Sequence, residues 1–208
     1  MEAATTTQAE ARRRLEGEKA QRIIAAMRDS VGRRGAAGST FDHVAREAGV
    51  SRGLLHYYFG SKERLLVEVV RHDCEIRNQR MDERLAQASS ADEILDALVI
   101  GLNEFLEDDE GGQAVIYEML SASRHSDEIR AELAELYRQW RERLAGWLRL
   151  KDEEGVISLE APAEAVASML FALGDGWGIQ VLADPHWDQE ASFELGVGVA
   201  RRMLGAAA

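Results

Sequence analysis

The chain contains a single cysteine and only two prolines among its 208 residues. One thiol, Cys74, cannot form an intramolecular disulfide, so disulfide-stabilised secreted folds are excluded and a reducing compartment is expected. No uninterrupted segment reaches the roughly 18 apolar residues that a membrane span requires. The first eleven residues are polar and lack the apolar core of a signal peptide. These absences predict a cytoplasmic protein with no membrane partner.

Helix is the regular structure that the sequence favours. Long segments rich in Ala, Leu, Glu and Arg carry neither proline nor the alternating polarity that is typical of strands. Apolar residues instead recur every three or four positions, beginning with a helix from about Leu15 to Arg34 that Gly35 is expected to end. Pro162 suits the first turn of a later helix. We predict an all-α fold of about nine helices.

The net charge of −12 is distributed unevenly along the chain. Residues 1–71 carry 13 Lys/Arg against 9 Asp/Glu, a net charge of +4, whereas the remainder carries 12 against 28, a net charge of −16. A basic head on an acidic body indicates an end that faces nucleic acid. An uneven scatter of surface charge would give the same numbers, so charge alone leaves both interpretations open.

Two short helices joined by a tight turn are predicted between Ser39 and Lys62. Thr40 can cap the first helix and Ser51 the second, and Gly49 permits the turn between them. Apolar residues at helical spacing give each helix an inward side, namely Phe41, Val44, Ala45 and Ala48 on the first helix and Leu54, Leu55 and Tyr58 on the second. This arrangement of caps, turn and apolar sides is the pattern of a helix-turn-helix.

The second of these helices has the chemistry of a recognition helix. Arg52 has a planar fork of donors that matches guanine O6/N7 or a phosphate, and Gly53 permits close approach of the backbone. His56 and Tyr57 lie on or near the exposed side. Lys62, at the start of the next helix, can neutralise a phosphate.

The segment from Glu18 to Val70 resembles the N-terminal signature of the TetR family of transcriptional regulators. The likeness lies in an Ala-Gly-Val-Ser turn, a Gly-x-Leu step and an aromatic run continued by Phe-x-Ser-Lys-Glu-x-Leu-Leu, all at unbroken spacing. His56 departs from the pattern because the family usually has tyrosine there, which leaves a phosphate contact and a packing role both open. The resemblance implies the following DNA-contacting residues: Thr40, Ser51, Arg52, Gly53, His56, Tyr57 and Lys62.

The resemblance also implies a layout for the whole chain. Residues 12–62 would form the helix-turn-helix domain and 63–208 a domain for ligand binding and dimerisation, while residues 1–11 are expected to be a disordered tail because their apolar content is too low to fold. The last two long helices would pair with those of a second copy as a four-helix bundle, with small residues at the contact. Glycines that kink the helix to open a cavity are the alternative. The expected dimer interface is Leu170, Gly174, Gly178, Val181, Phe193, Val197 and Arg201.

Large side chains on several helices of the body form a candidate ligand pocket. A cavity lined by aromatic residues and a few polar groups suits a small, largely apolar inducer of unknown identity. The same residues at helical spacing also suit a packed core, and the sequence does not decide between the two. The candidate residues are Phe105, Tyr117, Met119, His125, Trp140, Trp147, Asp175 and Trp177.

The function implied by the resemblance is that of a homodimeric, ligand-responsive repressor, which binds a pseudo-palindromic operator and is released by its inducer. An activator or a ligand-independent regulator of the same fold is the alternative. A helical enzyme or a protein-interaction adaptor is more remote, because the sequence has no nucleophile elbow, no phosphate loop and no His-Glu-x-x-His run. His72 and Cys74 alone make a poor metal motif. We therefore expect no catalytic residues, metal or cofactor.

Overall fold

The computed structural model describes residues 17–107, 112–184 and 186–205. The tail predicted for residues 1–11 and the residue Pro185 lie outside the described part. Within it the chain is all-helical, which confirms the predicted fold class. In chain order the helices are α1 (Glu18–Gly38), α2 (Phe41–Ala48), α3 (Arg52–Phe59), α4 (Lys62–Gln87), α5 (Ala91–Leu106), α6 (Gly112–Ala122), α7 (Asp127–Glu153), α8 (Ala163–Ala183) and α9 (Glu190–Met203).

The chain divides into two compact units. The first combines Met1–Ile76 with Asp108–Ala134, and the second combines Arg77–Glu107 with Glu135–Ala208. The first unit therefore holds α1 to α3, α6, the beginning of α4 and the beginning of α7. The second holds α5, α8, α9 and the remainder of α4 and α7.

In the first unit α1 is the central helix and packs against α2 and α6. The predicted apolar side of α1 is buried, including Ile23, Met27 and Val31. The backbone at Gly35 has φ 68° and ψ 167°, which interrupts the helix at the residue where the sequence predicts its end. Only glycine adopts this conformation without strain. The chain thereby turns toward α2 within a few residues.

Polar contacts join the helices of the first unit around this core. Arg28 on α1 pairs with Asp73 on α4, with 2.8 Å between Nε and Oδ2. The ammonium of Lys62, at the start of α4, donates a hydrogen bond to the carbonyl of Ala36 near the end of α1. Two exposed pairs join α4 to α7, namely Arg64 with Glu128 and Arg71 with Glu132.

The second unit has its own apolar core. Leu85, Ile94, Leu148 and Leu204 are among its fully buried side chains, so α4, α5, α7 and the end of α9 all contribute. Beside this core Asp82 accepts hydrogen bonds from Arg143 and from the indole Nε1 of Trp147, the latter at 2.7 Å. The Arg143 hydrogen bond, with that of Trp147, holds the pKa of Asp82 below its usual value despite the opposing effect of burial.

The helix α8 begins after Pro162, as predicted, and packs on the second unit through part of its surface. Leu170 packs on the core of the second unit, Gly178 is buried, and a side chain at Gly174 would lie 3.6 Å from Leu102 of α5. These three residues contribute to packing within the subunit, and their part in a dimer interface stays a prediction. The exposed apolar residues of α8 are Met169, Leu173, Ile179 and Leu182.

The helix α8 has apolar residues on both its inner and its exposed sides. Among the described residues it is the one helix that is long and apolar enough to cross a membrane by length and composition. An apolar helix that packs between two protein surfaces meets the same criteria. Glu164 in its first turn and Asp175 in its middle are atypical of a span.

Candidate functional site

The two short helices of the first unit have the geometry of a helix-turn-helix. The hydroxyl of Thr40 accepts a hydrogen bond from the amide of His43 at 3.4 Å and so caps α2. Gly49 ends α2 in the left-handed conformation, with φ 65° and ψ 39°. The amide of Val50 then donates to the carbonyl of Ala45 at 2.9 Å, which closes the turn before α3.

Ser51 precedes α3 at the N-cap position, but its side chain makes no capping hydrogen bond. The prediction of a capping hydroxyl is therefore wrong for Ser51 and right for Thr40. The first amides of α3 are consequently not occupied by the Ser51 hydroxyl. Helix amides at an exposed N-terminus are suitable donors for an anionic oxygen.

The helix α3 is buried on one side and exposed on the other. Leu55 and Phe59 are buried, and Leu54 and Tyr58 are half-buried. Six of the seven predicted DNA-contacting residues are exposed, on α2 and α3 or immediately before them, and the seventh, Lys62, is half-buried. The six exposed residues are Thr40, Ser51, Arg52, Gly53, His56 and Tyr57.

Arg52 is held by a residue that the sequence analysis did not identify. Its Nη1 donates to both carboxylate oxygens of Asp42 on α2, at 3.3 and 3.2 Å. Both side chains remain about 60% exposed, at 59% for Arg52 and 60% for Asp42. The only sequence signal for this contact is an acidic residue in the first turn of the first short helix.

The side chain of His56 is exposed, but one part of its ring packs against the first short helix. Its ring stands edge-on to Phe41, with 4.9 Å between the ring centroids. Its Nδ1 lies 3.1 Å from the carbonyl oxygen of Gly60, so Nδ1 carries the proton that is donated there. In the neutral ring with this tautomer, Nε2 is a hydrogen-bond acceptor and cannot donate to a phosphate oxygen.

The region around the site is connected by charged contacts. Glu47 on α2 pairs with Arg33 and Arg34 on α1. The hydrogen bond from Arg34 has the largest effect on the pKa of Glu47, and together the two arginines hold that pKa below its usual value. Lys62 already donates to the Ala36 carbonyl, so a phosphate would have to share the ammonium with that oxygen.

Two family models match the chain. The model described as "Bacterial regulatory proteins, tetR family" matches residues 23–69, which contain the helix-turn-helix. The model described as "BetI-type transcriptional repressor, C-terminal" matches residues 91–206, more than half of the chain. The chain belongs to the TetR family. Its C-terminal part has the BetI-type form of that family.

Individual proteins are also similar to this chain in sequence or in fold. An "HTH-type transcriptional regulator BetI" of Agrobacterium fabrum is 43% identical over 79 residues, which are 37% of each chain. The match thus spans little more than a third of that relative. A transcriptional regulator of Saccharomonospora viridis, solved with choline, is 25% identical with a TM-score of 0.67, covering 89% of this chain and 94% of the other. The regulator FadR of Bacillus subtilis, solved with stearoyl-CoA, is 22% identical with a TM-score of 0.69, covering 90% and 99%.

In this TetR-family chain the predicted pocket residues fall in both compact units. Three belong to the first unit: Met119 is buried, Tyr117 is half-buried, and His125 is exposed in the turn after α6. Burial of Met119 among apolar side chains agrees with the core-packing alternative for that residue. The other five belong to the second unit.

One cluster in the second unit combines a carboxylate with aromatic rings. Trp140 lies 5.0 Å from Tyr137 and 6.5 Å from Phe171 between ring centroids. Burial raises the pKa of Asp175 above its usual value, and a hydrogen bond with Tyr137 opposes that shift. Sequence analysis identified Trp140 and Asp175 but did not include Tyr137 or Phe171.

The remaining predicted pocket residues have separate surroundings. Trp147 packs on the core of the second unit and donates to Asp82. Trp177 contacts the ring of Phe193 at 5.2 Å between centroids, and Phe105 lies under the guanidinium of Arg77. No group of three or more His, Cys, Asp or Glu within the described ranges could hold a metal ion.

Proposed function

We propose that the protein is a ligand-responsive transcriptional repressor that binds a pseudo-palindromic DNA operator as a homodimer, with α3 as the recognition helix. The observation that carries this proposal is the two-sided character of α3. Leu55 and Phe59 fix its inner side, while Arg52, Gly53 and Tyr57 are exposed on the outer side. A helix of this kind enters the major groove with its N-terminal residues toward the base edges. A protein with this function would be located in the cytoplasm, where DNA is accessible.

The two parts of the chain have different roles in this proposal. Residues 12–62 form the DNA-binding head, and residues 63–208 bind the ligand and the second copy. The separate family matches to residues 23–69 and 91–206 support this division. Ligand binding in the body then has to alter the head, since the head itself carries the DNA contacts.

A second copy of the chain is the proposed cover for the exposed apolar side of α8. Met169, Ile179 and Leu182 are each at least half exposed, at 52%, 50% and 57%. An open groove of about 340 Å³ between α8 and α9 continues this surface and is lined by Val166, Met169, Val199 and Met203 among others. Gly176 has open space beside it, which permits close helix approach. A two-fold dimer places recognition helices about 34–36 Å apart.

The proposed inducer is a small, largely apolar molecule with a positive charge. Asp175 supplies a half-buried carboxylate, and Tyr137, Trp140 and Phe171 supply ring faces that attract cations. The choline bound by the Saccharomonospora viridis regulator supports this class of ligand. Because coupling is reciprocal, the ligand and the operator must weaken each other's binding by the same factor.

The DNA-binding part is tested by selecting operators from random duplexes and measuring affinity by fluorescence anisotropy. We expect Arg52→Ala to lose about 1–3 kcal/mol of operator affinity. Arg130→Ala is the matched control, because Arg130 is also 60% exposed and also paired with an aspartate, Asp127, but lies on α7. Equal affinities for Arg52→Ala, Arg130→Ala and the unchanged protein would reject α3 as the recognition helix.

The ligand part is tested with choline as the probe. We expect choline to raise the melting temperature and to weaken operator binding, and Asp175→Asn to remove both effects while leaving operator affinity without choline unchanged. Choline that stabilises the protein without any effect on operator binding would reject it as an inducer. Dimerisation is tested by sedimentation, where Leu182→Lys should shift the chain toward the monomer.

A further inference from the structure

We propose that Asp42 is a positioning residue for Arg52, holding its guanidinium in the orientation that reads a base and thereby setting the base preference of α3. This inference rests on the proposed DNA-binding function. Asp42 is the second residue of α2 and Arg52 the first residue of α3. Their contact therefore joins the two helices of the helix-turn-helix across the turn, on the exposed side.

The pair contributes little to the stability of the fold. Both side chains are about 60% exposed, and exposed ion pairs are screened by water and salt. The docking of α3 is already provided by the buried Leu55 and Phe59 and by the contact of His56 with Phe41. The main effect of Asp42 is thus on Arg52 itself.

A held arginine is better prepared to recognise a base than a freely rotating one. Arg has several rotatable bonds, and ordering them at the moment of binding lowers the affinity for DNA and reduces discrimination between bases. Asp42 engages only Nη1. The Nη2 and Nε atoms have no contact with Asp42, and two donors are what guanine O6 and N7 require.

The charge of Asp42 also acts against unspecific binding. A carboxylate on the surface that faces DNA repels phosphates, which lowers affinity for every duplex alike. Next to the correct base this cost is offset because Arg52 is oriented for the base edge. Asp42 would therefore lower non-specific affinity and raise selectivity together, an outcome that a purely structural residue does not produce.

A role in helix stability is the competing explanation. An acidic residue in the first turn of a helix interacts favourably with the helix dipole, and Asp42 is in the first turn of α2. Asp127 provides a matched control, since it is an exposed aspartate in the first turn of α7 that pairs with Arg130. Replacing either aspartate removes one charge, one first-turn acid and one arginine partner.

The experiment compares Asp42→Asn and Asp127→Asn, each alone and with Arg52→Ala, on the selected operator and on operators with single base changes. Arg52→Ala identifies the base pair that Arg52 reads. We expect Asp42→Asn to reduce discrimination at that pair by about threefold to tenfold. Affinity for unrelated duplex should rise about twofold at low salt. With Arg52→Ala already present, Asp42→Asn should change non-specific affinity only.

The outcomes separate this inference from the function on which it rests. If the unchanged protein binds no duplex selectively, the proposed function fails and the inference fails with it. If the unchanged protein is selective and Asp42→Asn keeps the same base preference, the positioning role alone is overturned. The positioning role would also be overturned if Asp127→Asn reduced base discrimination as much as Asp42→Asn does. The same holds if the loss of discrimination in Asp42→Asn only followed a fall in its melting temperature.

Discussion

Arg28 on α1 and Asp73 on α4 form an ion pair in which the carboxylate is almost wholly buried, with 5% of its side chain exposed. A buried carboxylate without its partner is strongly unfavourable. We expect Arg28→Met to lower the free energy of unfolding by about 3 kcal/mol, measured by urea denaturation at fixed protein concentration.

The double variant Arg28→Met with Asp73→Leu is the control for this pair. It removes both charges and leaves an apolar contact, so it should recover most of the lost stability. A double variant as unstable as the single one would mean that the pair acts through geometry and not through the buried charge.

The left-handed turn at Gly49 should not tolerate a side chain. Its φ of 65° is strained for any L-residue, and we expect Gly49→Ala to destabilise the protein by about 1 kcal/mol. Gly146→Ala is the contrasting variant, since Gly146 is inside α7 with only the flexible Arg149 guanidinium at 4.0 Å, and alanine should stabilise the helix there. The measurement is thermal unfolding of both variants. Melting temperatures that shift in the same direction for the two variants would contradict this explanation.

Asp82 should contribute a pH-dependent share of the stability. Because its pKa is lower in the folded protein than in the unfolded chain, the contribution is present above about pH 4 and is lost as the pH falls through the folded-state pKa. We expect Asp82→Asn to be less stable at neutral pH and to approach the unchanged protein in acid. Asp96→Asn, at an exposed position on α5, is the control for the loss of one carboxylate.

Asp175 should have the opposite effect. Burial raises its pKa in the folded protein, so this residue lowers stability as the pH rises from its ordinary pKa through the folded-state value. We expect Asp175→Asn to raise the melting temperature at pH 7 and to make no difference well below pH 4. A lower melting temperature at neutral pH would mean that the hydrogen bond with Tyr137 outweighs the burial of the charge.

Local signals allowed the helix-turn-helix to be predicted. Caps, a glycine turn and apolar spacing all act within a few residues, and Thr40, Gly49 and Leu55 have their predicted roles. The contact of Asp42 with Arg52 could not be predicted in the same way. It depends on the angle between two helices, which no spacing within either helix contains.

The inner side of α8 was beyond prediction for a different physical reason. Periodicity distinguishes two sides of a helix only when one of them is polar. In α8 both Leu170, which packs inward, and Met169, which is exposed, are apolar, so only the tertiary structure separates them. The aromatic residues of the body pose a similar difficulty, since the partners of Trp140 come from different turns and different helices.

The exposed apolar residues of α8 also bear on how long a newly made chain survives. If a second copy covers them, net stability increases with the amount of protein, by mass action. A subunit without a mate displays Ile179 and Leu182 to solvent, the kind of surface that aggregates and that chaperones and proteases detect. Copies that assemble would then persist while orphan subunits are cleared, so the cellular level of the regulator would be linked to its own assembly.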